Sequence, residues 1–194
     1  GATVVETDLE AHLVKRSIAR AEKMGLSELT EFLQVKPGPL TFPDNSFDMV
    51  VSSGAFTQID DKLAMYRECL RVLKPGGVLS CYDWMKSAGE YSQDMLYWFE
   101  LEGLTYAMLT PDEHLALFQQ AGFNQASCDD RSAWYRNNAH KEYQQLSTSL
   151  YDDIVTLIGQ KDADHFVEDW RALTVVCDKE EMLQVYSRAY SPEL

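Results

Sequence analysis

Phe42-Pro-Asp-Asn-Ser-Phe-Asp-Met-Val-Val-Ser-Ser53 and Arg71-Val-Leu-Lys-Pro-Gly-Gly-Val-Leu-Ser-Cys-Tyr-Asp83 are the two stretches whose reading decides the fold. The first opens on a turn, Phe42 to Ser46, and runs into a near-continuous apolar strand from Phe47 to Ser53. Such a run suits a strand buried on both faces, as in a parallel sheet. Between the two stretches Leu63, Tyr66, Leu70 and Leu73 recur at helical spacing. Lys74-Pro-Gly-Gly77 stops that helix, and Val78 to Asp83 reads as the next strand.

Working outward gives the same alternation. Thr3 to Thr7 is a β-branched run followed by Asp8. Leu9, Leu13, Val14, Ile18 and Ala21 then mark a helix that Gly25 ends. Thr30 to Val35 is a second strand, closed by Lys36-Pro-Gly-Pro39. Past Asp83 the chain turns aromatic, with Tyr91, Tyr97, Trp98, Phe99 and Tyr106 between Met85 and Met108. Thr110-Pro-Asp-Glu113 has capping-box spacing with proline at the first helical position, and its helix stops at Gly122. Asn124 to Asp129 reads as a strand, Ser132 to Ile158 and Ala163 to Val176 as helices, and Met182 to Tyr190 as a final edge strand. Strands alternating with helices imply a doubly wound α/β fold with a mostly parallel sheet. The organisation expected is one domain, with helical insertions over 85–109 and 130–178 forming the substrate side.

The 194 residues carry a net charge of −14, which repels nucleic-acid backbones and anionic membranes. That acidity serves solubility or favours a cationic substrate. No apolar run reaches the roughly 18 residues that span a bilayer. The N-terminus has no signal-peptide pattern, and Cys69, Cys81, Cys128 and Cys177 have neither zinc nor disulfide spacing. A cytoplasmic protein without a metal is expected.

In an open α/β sheet, ligands bind beyond the carboxyl ends of the strands. Asp8, Lys36-Pro37, Ser53-Gly54 and Asp83-Trp84 occupy those places. A carboxylate after a strand accepts both hydroxyls of a ribose, or it simply caps a helix. Tyr82 and Asp83 alternate across their strand, and Asp83 is the one expected to face the pocket. The aromatic cluster is either the core of the insertion or a box for an alkylammonium group. Glu100 and Glu102 either attract a cation or form a solvated face.

The series Phe42 to Asp48, strand, helix, Arg71 to Gly77, strand resembles the class I S-adenosylmethionine (SAM)-dependent methyltransferases. Within them the chain is most similar to the phosphoethanolamine N-methyltransferase group. Asp60-Asp-Lys62, Lys86-Ser-Ala-Gly89, Ala121-Gly-Phe123, Asp130-Arg131, Tyr151 to Val155 and Asp169-Trp170 also match. The resemblance implies SAM as cofactor, a Rossmann-like fold, and methyl transfer to a small, amine-bearing acceptor. It makes Asp8 the ribose acid and, with Leu9, Lys36, Pro37, Ser53 and Gly54, the cofactor site. It assigns Gln58, Asp83 and Tyr106 to catalysis and Trp84, Tyr97 and Tyr106 to the acceptor.

Several positions depart from the family. Gly54 stands for the acid that meets the amine, and Gln58 for the catalytic histidine. Leu104 replaces the phosphate-gripping arginine, Trp84 a tyrosine, and Lys36 the adenine-binding acid. Glutamine accepts no proton at neutral pH. A non-catalytic relative that binds SAM or its demethylated product is the alternative these changes favour. A nicotinamide-dependent oxidoreductase also uses an acid after the second strand, but the Lys-Pro-Gly-Gly turn counts against it. The family's glycine-rich loop and first strand are not in the sequence. That strand belongs between 3–7 and 47–53, so either an N-terminal segment precedes Gly1 or a second copy in a homodimer lends a strand.

Overall fold

The computed structural model describes residues 1–193 and forms two compact units, Gly1–Leu40 and Thr41 onward. In the first unit β1 (Val4–Asp8), α1 (Ala11–Met24), a 3₁₀ turn at Ser27–Leu29 and β2 (Thr30–Gln34) make one strand–helix–strand crossover. The strands pair in parallel from Val4 opposite Thr30 to Asp8 opposite Gln34. Antiparallel hairpins close over two residues, whereas a parallel pair needs such a crossover. Gly25 ends α1 in the left-handed conformation at φ +68°.

The second unit holds a four-stranded sheet in the order β3-β4-β6-β5. Its elements are β3 (Phe47–Ser53), a 3₁₀ turn at Phe56–Gln58, α2 (Lys62–Val72) and β4 (Leu73–Lys86). There follow α3 (Gln93–Glu102), α4 (Pro111–Ala121), β5 (Asn124–Asp130), α5 (Ser132–Leu146), α6 (Tyr151–Ile158), α7 (Gln160–Asp178) and β6 (Met182–Tyr190). β3 and β4 are parallel, and β6 runs antiparallel to both of its neighbours. The Thr110 capping box forms as its spacing implies, with Pro111 at the first helical position.

Period-two alternation along β4 sends Leu79, Cys81, Asp83 and Met85 to one buried face. Tyr66, Cys69 and Leu73 from α2 and its end, with Phe118, Ala121 and Phe123 from the α4 side, build the core that holds Leu79 and Cys81. A second core gathers Met95, Trp98, Tyr106, Met108, Leu173 and Val176. Among the described residues no helix is long and apolar enough to cross a membrane.

Four expectations change. β6 is not an edge strand but lies between β4 and β5, hydrogen-bonded on both sides, with Met182, Gln184, Val185, Ser187 and Ala189 buried. Its loose alternation hid this, because small and polar residues share its buried positions. The region 132–158 is two helices, since the chain turns at 147–150. The buried stripe of α2 is Lys62, Tyr66, Cys69 and Val72, rotated from the one read on the apolar residues alone. Finally, β4 starts at Leu73, but its register with β3 jumps from Leu73–Phe47 to Val78–Met49. The Lys74-Pro-Gly-Gly77 segment is the bulge that absorbs the difference.

Gly77 is required there by space. A Cβ would lie 2.8 Å from the Lys74 carbonyl oxygen and 3.1 Å from that of Asp48. Gly77→Ala should therefore destabilise the fold by about 1–3 kcal/mol, measured by urea unfolding. A loss within about 0.5 kcal/mol, the range of an ordinary surface change, would show that the bulge relaxes freely.

Candidate functional site

In the first unit, the parallel pair brings four of the expected residues to one strand end. Asp8 closes β1 and Gln34 closes β2 directly opposite. The Val35 amide donates to the Asp8 carbonyl at 2.9 Å, which places Lys36 and Pro37 just beyond. Gln34 Nε2 donates to the Leu9 carbonyl at 3.1 Å. Asp8 Oδ1 accepts the Glu10 amide at 2.7 Å, so the half-buried carboxylate has a fixed orientation at the start of α1. A carboxylate has lone pairs for further donors, and a diol fits that chemistry.

In the second unit Ser53 and Gly54 end β3. The Gly54 amide donates to the Tyr82 carbonyl at 2.8 Å, and its φ of +68° is a conformation that favours glycine. The strand ends here, and Gly54 projects no side chain. A groove of about 280 Å³ touches Val51, Ser53, Ser80, Tyr82 and Tyr186. A larger one, about 470 Å³, lies over β5 and β6 between Arg131, Trp134, Tyr186 and Arg188.

Three segments converge at the carboxyl end of β4. The Ala107 amide donates to the Thr57 carbonyl at 2.8 Å, and Thr57 Oγ1 donates to the Trp84 carbonyl at 3.3 Å. These bonds set Gln58, Trp84 and Tyr106 on adjoining backbones. Gln58 is exposed, while Tyr106 is 8% exposed. Trp84 meets Trp98 at 5.1 Å and Tyr106 at 5.9 Å between ring centroids, and Trp98 stacks on Tyr106. Tyr91 and Phe99 join the same core, edge to face at 4.9 Å. Tyr97 stands apart: it is exposed, and its hydroxyl donates to Glu168 at 2.8 Å.

Asp83 points to the buried face, and Tyr82 to the opposite one against Tyr186. Asp83 Oδ1 accepts the Trp84 amide at 3.0 Å, while Oδ2 meets no partner among the described residues. Burial pushes this carboxyl up to about 6, against the pull of the Trp84 amide, the Lys62 ammonium and the Thr57 and Phe56 amides. Lys62 is 5% exposed, and burial lowers its affinity for the proton. Its Nζ donates to the Ile59 carbonyl at 2.6 Å and the Ala107 carbonyl at 2.5 Å. Burial raises the Tyr106 hydroxyl, which stays a neutral donor at any ordinary pH. His114 is buried with Nδ1 2.8 Å from the Tyr66 hydroxyl, and burial depresses it to about 4. Burial and the neighbouring Glu102 push Asp169 up to about 7, beside the Trp98 indole.

Reading the sequence for site chemistry misses Thr57, Lys62 and His114, and weighs Glu102 without its partner Asp169. Of the missed residues Lys62 carries a usable signal, because 62, 66 and 69 fall on one helical stripe and a charge on a buried stripe needs a reason.

Residues 1–81 match a methyltransferase domain family. A phosphoethanolamine N-methyltransferase of Triticum aestivum is 28% identical over 169 residues, 87% of this chain and 32% of the relative. The chain thus spans about a third of the length of the curated relatives it matches. Haemonchus contortus phosphoethanolamine N-methyltransferase 2, solved with phosphomonomethylethanolamine and S-adenosylhomocysteine, superposes with a TM-score of 0.89 at 17% identity. It covers all of this chain and 44% of that one. A putative sarcosine dimethylglycine methyltransferase from Galdieria sulphuraria gives 0.84 at 18% identity, covering 99% and 70%. The chain is similar in sequence to class I SAM-dependent methyltransferases, and its fold is theirs.

The titrations in the core have opposite signs. Between about pH 4 and 6 folded Asp83 keeps a proton that the unfolded chain has released, so its contribution to stability falls as pH rises through that window and is constant above it. His114 contributes stability above its ordinary 6.5 that is lost as pH falls toward about 4. Asp83→Asn removes the first effect alone. Its stability relative to the wild type should rise by about 3 kcal/mol between pH 4 and pH 7, read by urea unfolding at each pH. A difference that stays constant would refute the buried-acid assignment.

Proposed function

We propose that this protein is a SAM-dependent methyltransferase whose acceptor is a small amine-bearing molecule. The observation that carries the reading is the strand-end carboxylate Asp8 with Lys36-Pro37 beside it, at the position where the class I fold receives its nucleotide. In this reading Asp8 holds the ribose hydroxyls and Leu9, Lys36 and Pro37 flank the adenine, all within the first unit; the resemblance gives Ser53 and Gly54 of the second unit a cofactor role as well. When bound, SAM supplies a methyl group activated by its sulfonium. The sheet is the scaffold, and the segments 85–109 and 130–178 form the acceptor side of a single methyltransferase domain.

The chain's own residues then bind and orient the acceptor. The Gln58 amide and the neutral Tyr106 hydroxyl offer hydrogen bonds from adjoining segments. Trp84 covers them from β4, backed by Trp98 and Tyr106. Asp83 orients this end of β4 through the amide of Trp84. Glutamine takes no proton, so the acceptor nitrogen enters neutral and needs desolvation more than a base. Leu104 is an exposed apolar side chain, and by the resemblance it replaces the arginine that would grip a phosphate. A phosphate dianion needs cationic partners, so the acceptor is an amine without that group. Tyr97 is left out, because its hydroxyl is committed to Glu168. The protein works in the cytoplasm on a small molecule, and its charge of −14 disfavours nucleic acid and anionic membrane.

Calorimetric titration with S-adenosylhomocysteine tests the cofactor half. Binding is expected, weakened about 10- to 100-fold in Asp8→Asn, as for hydrogen bonds to a charged group. Methyl transfer to a panel of sarcosine, dimethylglycine, ethanolamine and phosphoethanolamine tests the other half. Turnover should favour the phosphate-free amines. Binding without turnover would support the second reading, a non-catalytic relative, which the glutamine at 58 favours. An absence of binding would end both.

A further inference from the structure

We propose that Lys62 is a positioning residue of the acceptor site, its buried ammonium tying the turn that carries Gln58 to the segment that carries Tyr106. The inference rests on the methyl-transfer reading for its consequence, but not for the tether itself. Lys62 opens α2, where an ordinary lysine would reach into water. Here the side chain folds under and is 5% exposed. Its Nζ donates to two carbonyls from different parts of the chain, Ile59 at 2.6 Å and Ala107 at 2.5 Å. Ile59 directly follows Gln58, and Ala107 directly follows Tyr106. The Ala107 amide in turn donates to the Thr57 carbonyl at 2.8 Å. The two segments are therefore clamped by one backbone bond and by one shared cation.

Compensating the charge of Asp83 does not by itself require a side chain that also holds two carbonyls. Burying an ammonium is costly, and apolar side chains of similar volume often serve a core as well or better. The nearby anions, Asp83 and Asp60, offset part of that cost. What a lysine supplies and an apolar residue lacks is three donors on one atom, able to hold two carbonyls at a fixed separation. Without the ammonium, both carbonyls lose this donor, and of these two links the Thr57–Ala107 backbone bond remains. A misplacement of about 1 Å of a substrate-orienting group costs on the order of 100-fold in rate.

Lys62→Met keeps the length and removes the ammonium. Two measurements read it. In hydrogen exchange, residues 55–61 and 104–109 should lose protection at least about tenfold, while the β4–β6 ladder keeps its own. In kinetics, with the panel amine that the wild type methylates fastest, kcat/KM should fall about 100-fold while S-adenosylhomocysteine binds within about twofold of the wild type. Combining Lys62→Met with Gln58→Ala should cost no more than Lys62→Met alone, since Lys62 acts through the placement of Gln58. Multiplying losses, or unchanged exchange in the two segments, would overturn the proposal. If Lys62→Met does not fold, Lys62→Arg keeps the charge but not the reach. The same exchange and kinetic criteria then apply, with a loss of about tenfold. A wild type that binds S-adenosylhomocysteine but methylates no amine would refute the acceptor reading and the positioning role with it. The exchange result would still decide whether the tether exists.

Discussion

Asp83 is a carboxylate delivered by strand periodicity to the buried face of β4, in a row with Leu79, Cys81 and Met85. A charge there must be neutralised or surrounded by donors, and most of the local architecture at this end of the sheet does one or the other. The Trp84 amide binds one oxygen. The Phe56 and Thr57 amides of the neighbouring 3₁₀ turn also favour its charged form. Lys62 comes in from α2 as the cation, although the start of a helix offered it open solvent. The carboxyl titrates near 6 because these donors compensate burial only in part.

That compensation has a structural by-product. The same lysine and the same turn hold the 106–108 segment through Ala107, which locks Tyr106 against Trp98 and Trp84. The polar end of the β4 core and the aromatic core of the helical layer are thus one continuous construction. A side chain placed for electrostatic reasons in one fixes geometry in the other. The aromatic residues of 85–109 resolve accordingly: Tyr91, Trp98, Phe99 and Tyr106 are core, and Tyr97 belongs to the α3–α7 surface.

The antiparallel β6 imposes the other constraint. It separates β4 from β5 and buries Gln184 between them, with Nε2 on the Asp83 carbonyl at 3.1 Å. The backbone of Asp83 is therefore held from β6 while its side chain is held from α2 and the 3₁₀ turn. Alternation alone gave little sign of this, because Ser187 and Gln184 take places where a buried strand ordinarily shows aliphatic residues.

The sequence by itself determined the alternation of strands and helices, the turn chemistry at Gly25 and Thr110, and the strand-end residues Asp8, Lys36 and Ser53, with Asp83 facing inward from β4. Those features rest on short-range rules, namely periodicity, capping and the φ that glycine allows, and such rules are written locally. The likeness to methyltransferases was legible for the same reason, since its motifs are contiguous. Only the tertiary structure decided that β6 enters the middle of its sheet, that Lys62 turns inward, and that Gln58, Trp84 and Tyr106 stand side by side. These depend on which distant backbone groups are left needing a donor once the core has formed, and that need exists only after the segments 57–59, 83–84 and 106–107 have met.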